Sequence, residues 1–254
     1  MQRNGLKNDF ELRFGGIERL YSPAGLQRLR QAHVCVVGIG GVGSWAAEAL
    51  ARSAIGSITL VDLDDVCVSN VNRQLPALDT VMGQPKVAVM AARIQAINPE
   101  CRVRAVAEFF TGATAREILQ PRFDWVLDAI DQVANKCLLI AHCRQQEIPV
   151  VCAGGAGGRR NPAAVQLADL AQTAHDALLQ RVRKKLRDDF GFPRGAKQLF
   201  HVPCVFSREP AVQPEAGGDP RGGCESAYGT ASFVTGTFGF LAASHIVTKI
   251  AAGE

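Results

Sequence analysis

No two of the eight cysteines stand in a C-x-x-C spacing, so the chain of 254 residues offers neither a paired zinc motif nor a disulfide framework. Several, Cys35 and Cys152 among them, sit inside apolar runs. That predicts reduced core thiols and a cytoplasmic protein. A secretory leader is missing as well, because the first fifteen residues are polar and lack an apolar h-region. No internal repeat is visible. A large excess of either charge is missing too: a net charge of +4 suits an anionic partner without demanding one. Long apolar runs are confined to Phe233–Ala252, which has the length to span a bilayer. Thr235, Thr237, Ser244, His245, Thr248 and Lys249 interrupt that run, and Gly236 and Gly239 lie inside it. A buried terminal helix, or one attached peripherally to a membrane, is expected there. Apolar residues make up 47% of the chain, enough for a full α/β core in one domain over residues 1–254.

What the chain has is a compact nucleotide-binding pattern. Val34-Cys35-Val36-Val37 is too short for a helix and β-branched enough for a buried strand. Gly38-Ile39-Gly40-Gly41-Val42-Gly43 follows as a G-x-G-x-x-G, then the Ala-rich stretch Ser44–Ala51 favours helix. A second strand, Ile58–Val61, ends in Asp62, nineteen residues past the last glycine. Strand, glycine turn, helix, strand and acid together form a βαβ unit for a nucleotide. Glycines let the backbone approach a phosphate, and the helix N-terminus supplies free N–H groups. Asp62 can accept from ribose hydroxyls. The pattern by itself fits a dinucleotide or ATP equally well.

Further elements extend this unit into a Rossmann-like, mostly parallel sheet with helices on both faces. Ser22-Pro23 starts a helix over 25–31 within an N-terminal arm, residues 1–33. Within the nucleotide-binding core, 34–155, helices are expected at 86–97, 114–119 and 136–145, and strands at 103–109, 125–127 and 149–153. Asp128-Ala129-Ile130-Asp131 then falls at a strand's C-terminal end, where open α/β sheets bind ligands. The C-terminal extension, 156–254, holds antiparallel strands near 165–167 and 201–207, a helix over 176–190 and the terminal helix. Between them, residues 209–223 contain three prolines and four glycines, which predicts a mobile loop.

The chemistry concentrates after Asp62. Asn70 brings an amide, Arg73 a guanidinium and Lys86, just after Gly83-Gln84-Pro85, an ammonium. Together they can neutralise a triphosphate that loses pyrophosphate. Asp131, with Asp128, can hold Mg²⁺, which asks for one or two carboxylates plus phosphate oxygens. A solvated loop would hold any one of these residues singly; their joint spacing is what favours ATP. A dehydrogenase needs little beyond the ribose acid.

These residues resemble the superfamily of ubiquitin-activating-like adenylating enzymes. The marks are Gly38-x-Gly40-Gly41-x-Gly43, Asp62-x-Asp64-x-Val66-x-x-Ser69-Asn70-x-x-Arg73-Gln74, Gly83-x-x-Lys86 and Asp128-x-x-Asp131. The resemblance implies that the matching residues bind ATP and Mg²⁺ and form an acyl-adenylate on a carboxylate. It also implies a homodimer in which Arg13 reaches the partner subunit's site, and a cysteine desulfurase or sulfur acceptor as a further partner. Sulfur-carrier activators usually bind zinc through paired C-x-x-C motifs, absent here. A nearer likeness is to the tRNA threonylcarbamoyladenosine dehydratases, through Arg13-Phe14-Gly15-Gly16-Ile17, Ile97-Asn98-Pro99-Glu100-Cys101, Gly154-Gly155-Ala156-Gly157-Gly158 and Cys204-Val205-Phe206-Ser207. The chain departs from that pattern at Ala134-Asn135, where Arg-Pro is expected. This likeness implies ATP-dependent dehydration of a threonylcarbamoyl-adenosine in tRNA. The basic helix with Arg181, Arg183, Lys184, Lys185 and Arg187, together with Arg159 and Arg160, is then the candidate phosphate-backbone contact. Cys224 is a candidate acyl acceptor. The rival readings are a sulfur-carrier activator, an NAD-dependent oxidoreductase and a non-catalytic tRNA-binding module.

Overall fold

Alternation of side chains along short apolar strands organises this molecule. The computed structural model describes residues 9–195, 197–212 and 228–254. Its first half runs α1 (Asp9–Gln31), β1 (His33–Val37), α2 (Gly43–Arg52), β2 (Ser57–Val61), α3 (Lys86–Ile97), β3 (Arg102–Val106) and α4 (Ala115–Ile118). Then follow β4 (Trp125–Asp128), α5 (Val133–Gln145), β5 (Val150–Ala153), β6 (Val165–Asp169), α6 (Ala177–Asp189), β7 (Pro203–Ser207) and α7 (Ser232–Ala252). The strands form one sheet in the order β3-β2-β1-β4-β5-β7-β6. Neighbours are parallel throughout except β6, which runs antiparallel to β7. The expected Rossmann-like sheet and its antiparallel C-terminal pair are both present.

Each strand feeds two cores. Val34 and Val36 of β1 enter one, with Leu50, Met90, Phe238 and Ile246. Cys35 and Val37 enter the other, with Ile118, Ile140, Leu179 and Leu186. Helices α2, α3 and α7 thus cover one face and α4 to α6 the opposite one. Ser22, at φ 70° and ψ 162°, divides α1 into two segments. Its Oγ accepts from Gly25 N–H at 3.2 Å and caps the second segment, which is the helix start that Ser22-Pro23 predicts. The first segment, opening at Asp9, goes beyond the sequence expectation because Gly15 and Gly16 mask it.

By length and composition α7 can cross a membrane, yet over half of its most apolar stretch is buried. It lies against α1 and α2, with Val234, Phe238, Ala242 and Ile246 in the core. β3 stops at Val106 rather than Phe109, so Glu108–Phe110 turn towards the sheet's C-terminal edge. Cys35, Cys101, Cys137, Cys143, Cys152 and Cys204 are free and buried, while Cys67 is partly exposed. Cys224 and most of the stretch expected to be mobile, from 213 onward, fall outside the described residues.

Candidate active site

A cavity of about 770 Å³ opens along the C-terminal edges of β2, β1, β4 and β5, within the range of small-molecule sites. Its floor is the glycine turn. Gly38 has φ +91°, and a Cβ there would lie 2.8 Å from Ala129 O. At Gly43 a Cβ would lie 1.8 Å from Gly38 O, so only glycine lets the turn close on itself. Gly38, Gly40 and Gly41 line the cavity; Gly43 sits behind the wall and serves this packing, which corrects its expected place among the ligand contacts. α2 begins at Gly43 with no side-chain cap; Ser44 N–H is given to Gly40 O at 3.2 Å, and the residues just before the helix, Gly40 to Val42, bring its positive end to the cavity for an anionic ligand.

Asp62 closes the turn from β2. Its Oδ2 accepts from Ile39 N–H at 2.6 Å and its Oδ1 from Asp64 N–H at 2.9 Å. Burial pushes its carboxyl above the usual range, against the lowering by Lys86 and those two N–H groups. Lys86 opens α3 and pairs with Asp64 at 2.8 Å; the lysine side chain is 5% exposed and the aspartate 50%. Arg73 is held at both ends: its Nη1 donates to Ser69 O at 2.6 Å, and its own carbonyl accepts from Trp45 Nε1 and Thr235 Oγ1. Asn70 and Gln74 are buried on the same wall, and Gln74 Oε1 has no partner. Asp131 stands exposed on the wall opposite.

Three further sequence expectations need correction. Asp128 is fully buried and does not line the cavity. Its Oδ1 accepts from Ile130 N–H at 3.0 Å, and its Oδ2 pairs with the fully buried Lys136 Nζ at 3.0 Å. Burial raises the Asp128 carboxyl, and despite its own desolvation Lys136 is held above its usual value by Asp128. The pair supports the loop carrying Asp131, since Lys136 Nζ also donates to Ile130 O at 2.9 Å. Arg13, expected to serve the partner subunit, does not reach the cavity of its own chain: it pairs with Asp9 at 3.0 Å and donates to Ile97 O at 3.1 Å. Ile97 ends the helix that Lys86 begins, about 16 Å away along twelve residues. Arg159 is buried, not a surface contact: it pairs with Asp176 at 3.4 Å and donates to the carbonyls of Gly155, Gly157 and His175. The basic stripe on α6 also breaks up. Arg183 donates to Thr173 Oγ1, Lys185 pairs with Asp189, and Arg187 lies over the Phe200 ring at 5.1 Å.

Besides Arg181 of the basic helix, the cavity takes in residues that motif reading passes over, namely Phe109, Asp176 and Tyr228. None belongs to a recognisable spacing. Lys136 alone left a signal, a cation directly before the apolar run Cys137-Leu138-Leu139-Ile140. Among the described residues no cluster of three His, Cys, Asp or Glu side chains forms a metal cage. The exposed carboxylate of Asp131 suits an ion that arrives with phosphate oxygens.

Comparison with known proteins agrees with this geometry. The ThiF family profile matches residues 16–253. The tRNA threonylcarbamoyladenosine dehydratase of Escherichia coli (strain K12) is 49% identical over 251 residues, covering 94% of each chain. That of Haemophilus influenzae is 46% identical over 247 residues, covering 96% of this chain and 95% of the relative. The crystal structure of the E. coli enzyme in complex with ATP superposes with a TM-score of 0.90 over 97% of both chains at 48% identity. Fold, cavity and near full-length identity converge: the chain belongs to the ThiF family, in the branch of the tRNA threonylcarbamoyladenosine dehydratases.

Proposed function

We propose that the chain is an ATP-dependent dehydratase that adenylates the carboxylate of N6-threonylcarbamoyladenosine in tRNA and closes that side chain to its cyclic form. The carrying observation is that the glycine turn, Arg73, Lys86 and Asp131 face one cavity, in a chain matching known dehydratases along its whole length. In this reading the carboxylate attacks the α-phosphorus of ATP, pyrophosphate leaves, and an acyl-adenylate forms. The neighbouring carbamoyl group then attacks the activated carbon, gives up a proton and expels AMP, so the nucleoside loses one water. Nucleophile and electrophile share one side chain, so proximity does most of the second step.

The residues divide the work. Asp62 takes the ribose, and the glycine turn with the uncapped start of α2 takes phosphate oxygens. Arg73 and Lys86 neutralise charge that develops as pyrophosphate departs. Asp131 would hold Mg²⁺ together with the phosphate oxygens, and the ion would supply charge stabilisation there. Two copies form a homodimer, in which Arg13 serves the partner subunit's site, and the protein works in the cytoplasm. Exposed Phe233 and Phe240 on α7 are the only support for peripheral membrane attachment among the described residues.

The test is to incubate the purified chain with ATP and tRNA that carries or lacks the modified nucleoside. AMP formation and loss of one water from the nucleoside, only with the modified tRNA, is the expected result. AMP formation only with a protein ending in Gly-Gly would replace this reading with the sulfur-carrier one.

A further inference from the structure

The cavity is longer than ATP chemistry needs. Along the sheet order β2-β1-β4-β5, it passes the ribose acid Asp62, the glycine turn, then Asp131. It continues over the β5 loop Gly154–Gly157 to the first turn of α6, where Ala177, Leu178, Arg181 and Tyr228 form its far wall. The nucleotide residues occupy the first part, so the acceptor must enter by this second lobe.

The lobe is a built one. Asp176 Oδ2 accepts from Gly155 N–H and its Oδ1 from Leu179 N–H, both at 2.9 Å, which pins the β5 loop to α6. Arg159, 4% exposed, also lines the lobe, but its two Nη atoms are taken up by Asp176 and the surrounding carbonyls, and its Nε, though without a partner, is buried. Arg181 is the exposed guanidinium on that wall; its Nε donates to Ala177 O at 3.3 Å within its own helix. Arg183 and Arg187 are turned to internal contacts. The positive charge of α6 at the cleft is thus a point, not a stripe.

That point matches the chemistry of the acceptor. For its carboxylate to reach the α-phosphorus, the modified base must enter the cleft while the RNA backbone stays at the mouth. An exposed guanidinium there offers two parallel N–H donors to a phosphodiester. Building on the functional reading above, we propose that the β5–α6 lobe seats the acceptor nucleoside and that Arg181 holds the phosphodiester next to it. Arg181 is thereby the residue that distinguishes a nucleotide within RNA from any other carboxylate small enough to enter.

A double substitution across the contact tests this. The RNA is an anticodon stem-loop carrying the modified nucleoside, made with either a natural linkage or a neutral methylphosphonate at the flanking phosphodiesters in turn. Arg181→Ala and one neutral linkage should each weaken RNA binding about tenfold or more, and together no more than either alone. Arg181→Ala should also flatten the slope of log affinity against log salt by about 0.7, the share of one single-strand phosphate. Arg181→Lys should recover the slope but not the full affinity, and the KM for ATP should stay unchanged in both variants. Losses that multiply at every linkage, an unchanged RNA affinity, or a raised KM for ATP would each overturn the assignment. Failure of the parent enzyme to dehydrate the natural stem-loop would overturn the functional reading instead, and this assignment with it.

Discussion

A lysine ammonium 5% exposed and 2.8 Å from a half-exposed carboxylate, as at Lys86, is placed to change partners when a polyanion arrives. The Asp64 carboxylate can swing to water, whereas Lys86 has no other place to go. Lys86→Ala and Arg73→Ala should therefore each slow adenylation by about 100-fold or more, as expected when a transition-state charge partner is removed. Pyrophosphate release measures it, and normal rates in folded variants would remove both residues from the reaction. Lys136 makes a different prediction, because it lies behind the cavity wall rather than lining it. Lys136→Met strands the Asp128 carboxylate in the core and should cost about 3–5 kcal/mol in a urea titration. Lys136→Met with Asp128→Asn should be more stable than the single variant, since the asparagine keeps an oxygen for Ile130 N–H. A double variant less stable than the single one would refute the pairing. Here the sequence misled for a clear reason: Asp128-x-x-Asp131 is one motif on paper, but Asp128 is the last strand residue, facing the core. The lysine that keeps it there comes eight positions later, in α5.

Between elements, the sharpest electrostatic contact joins α2 to α3. Glu48 accepts from Arg52 at 2.8 Å and from Arg93 at 2.7 and 3.0 Å. Burial by itself would raise the Glu48 carboxyl, but Arg93 and Arg52 outweigh it and leave it below the ordinary 4.5. A carboxyl whose folded value lies below its unfolded one stabilises the fold above the unfolded value. That contribution is lost as pH falls through the folded value. Glu48→Gln should therefore lower the urea midpoint at pH 7, and the gap from the parent should shrink steadily below about pH 4.5. A gap that is constant or widening in acid would assign the loss to packing. The elements themselves were largely legible. β1, α2 and β2 announce themselves through β-branched runs, glycines and alanines, all local signals. The sheet order beyond β5 was not, since β7 inserts between β5 and β6 only because distant residues such as Phe206 and Val205 complete both cores. α6 shows the same limit: its five basic residues look alike in sequence, and only tertiary contacts separate Arg181 from Arg183 and Arg187.

For the molecule as a whole, the placement of Arg13 at the far end of α3 leaves its own cavity out of reach. In a homodimer the same side chain can serve the partner subunit's cavity. Arg13→Ala and Asp131→Ala subunits, each inactive alone, should regain one working site of two when mixed and allowed to exchange. Verified exchange without recovered activity would place Arg13 outside the reaction. The whole account turns on one event, transfer of the adenylyl group to the substrate's own carboxylate, and isotope tracing reads it directly. Modified tRNA labelled with ¹⁸O in the threonyl carboxylate is taken through a single turnover with ATP, and the products are weighed. Carboxylate attack on the α-phosphorus followed by ring closure must leave one ¹⁸O in AMP and none in pyrophosphate. Label in inorganic phosphate, or an AMP free of label while the ring still closes, would contradict it.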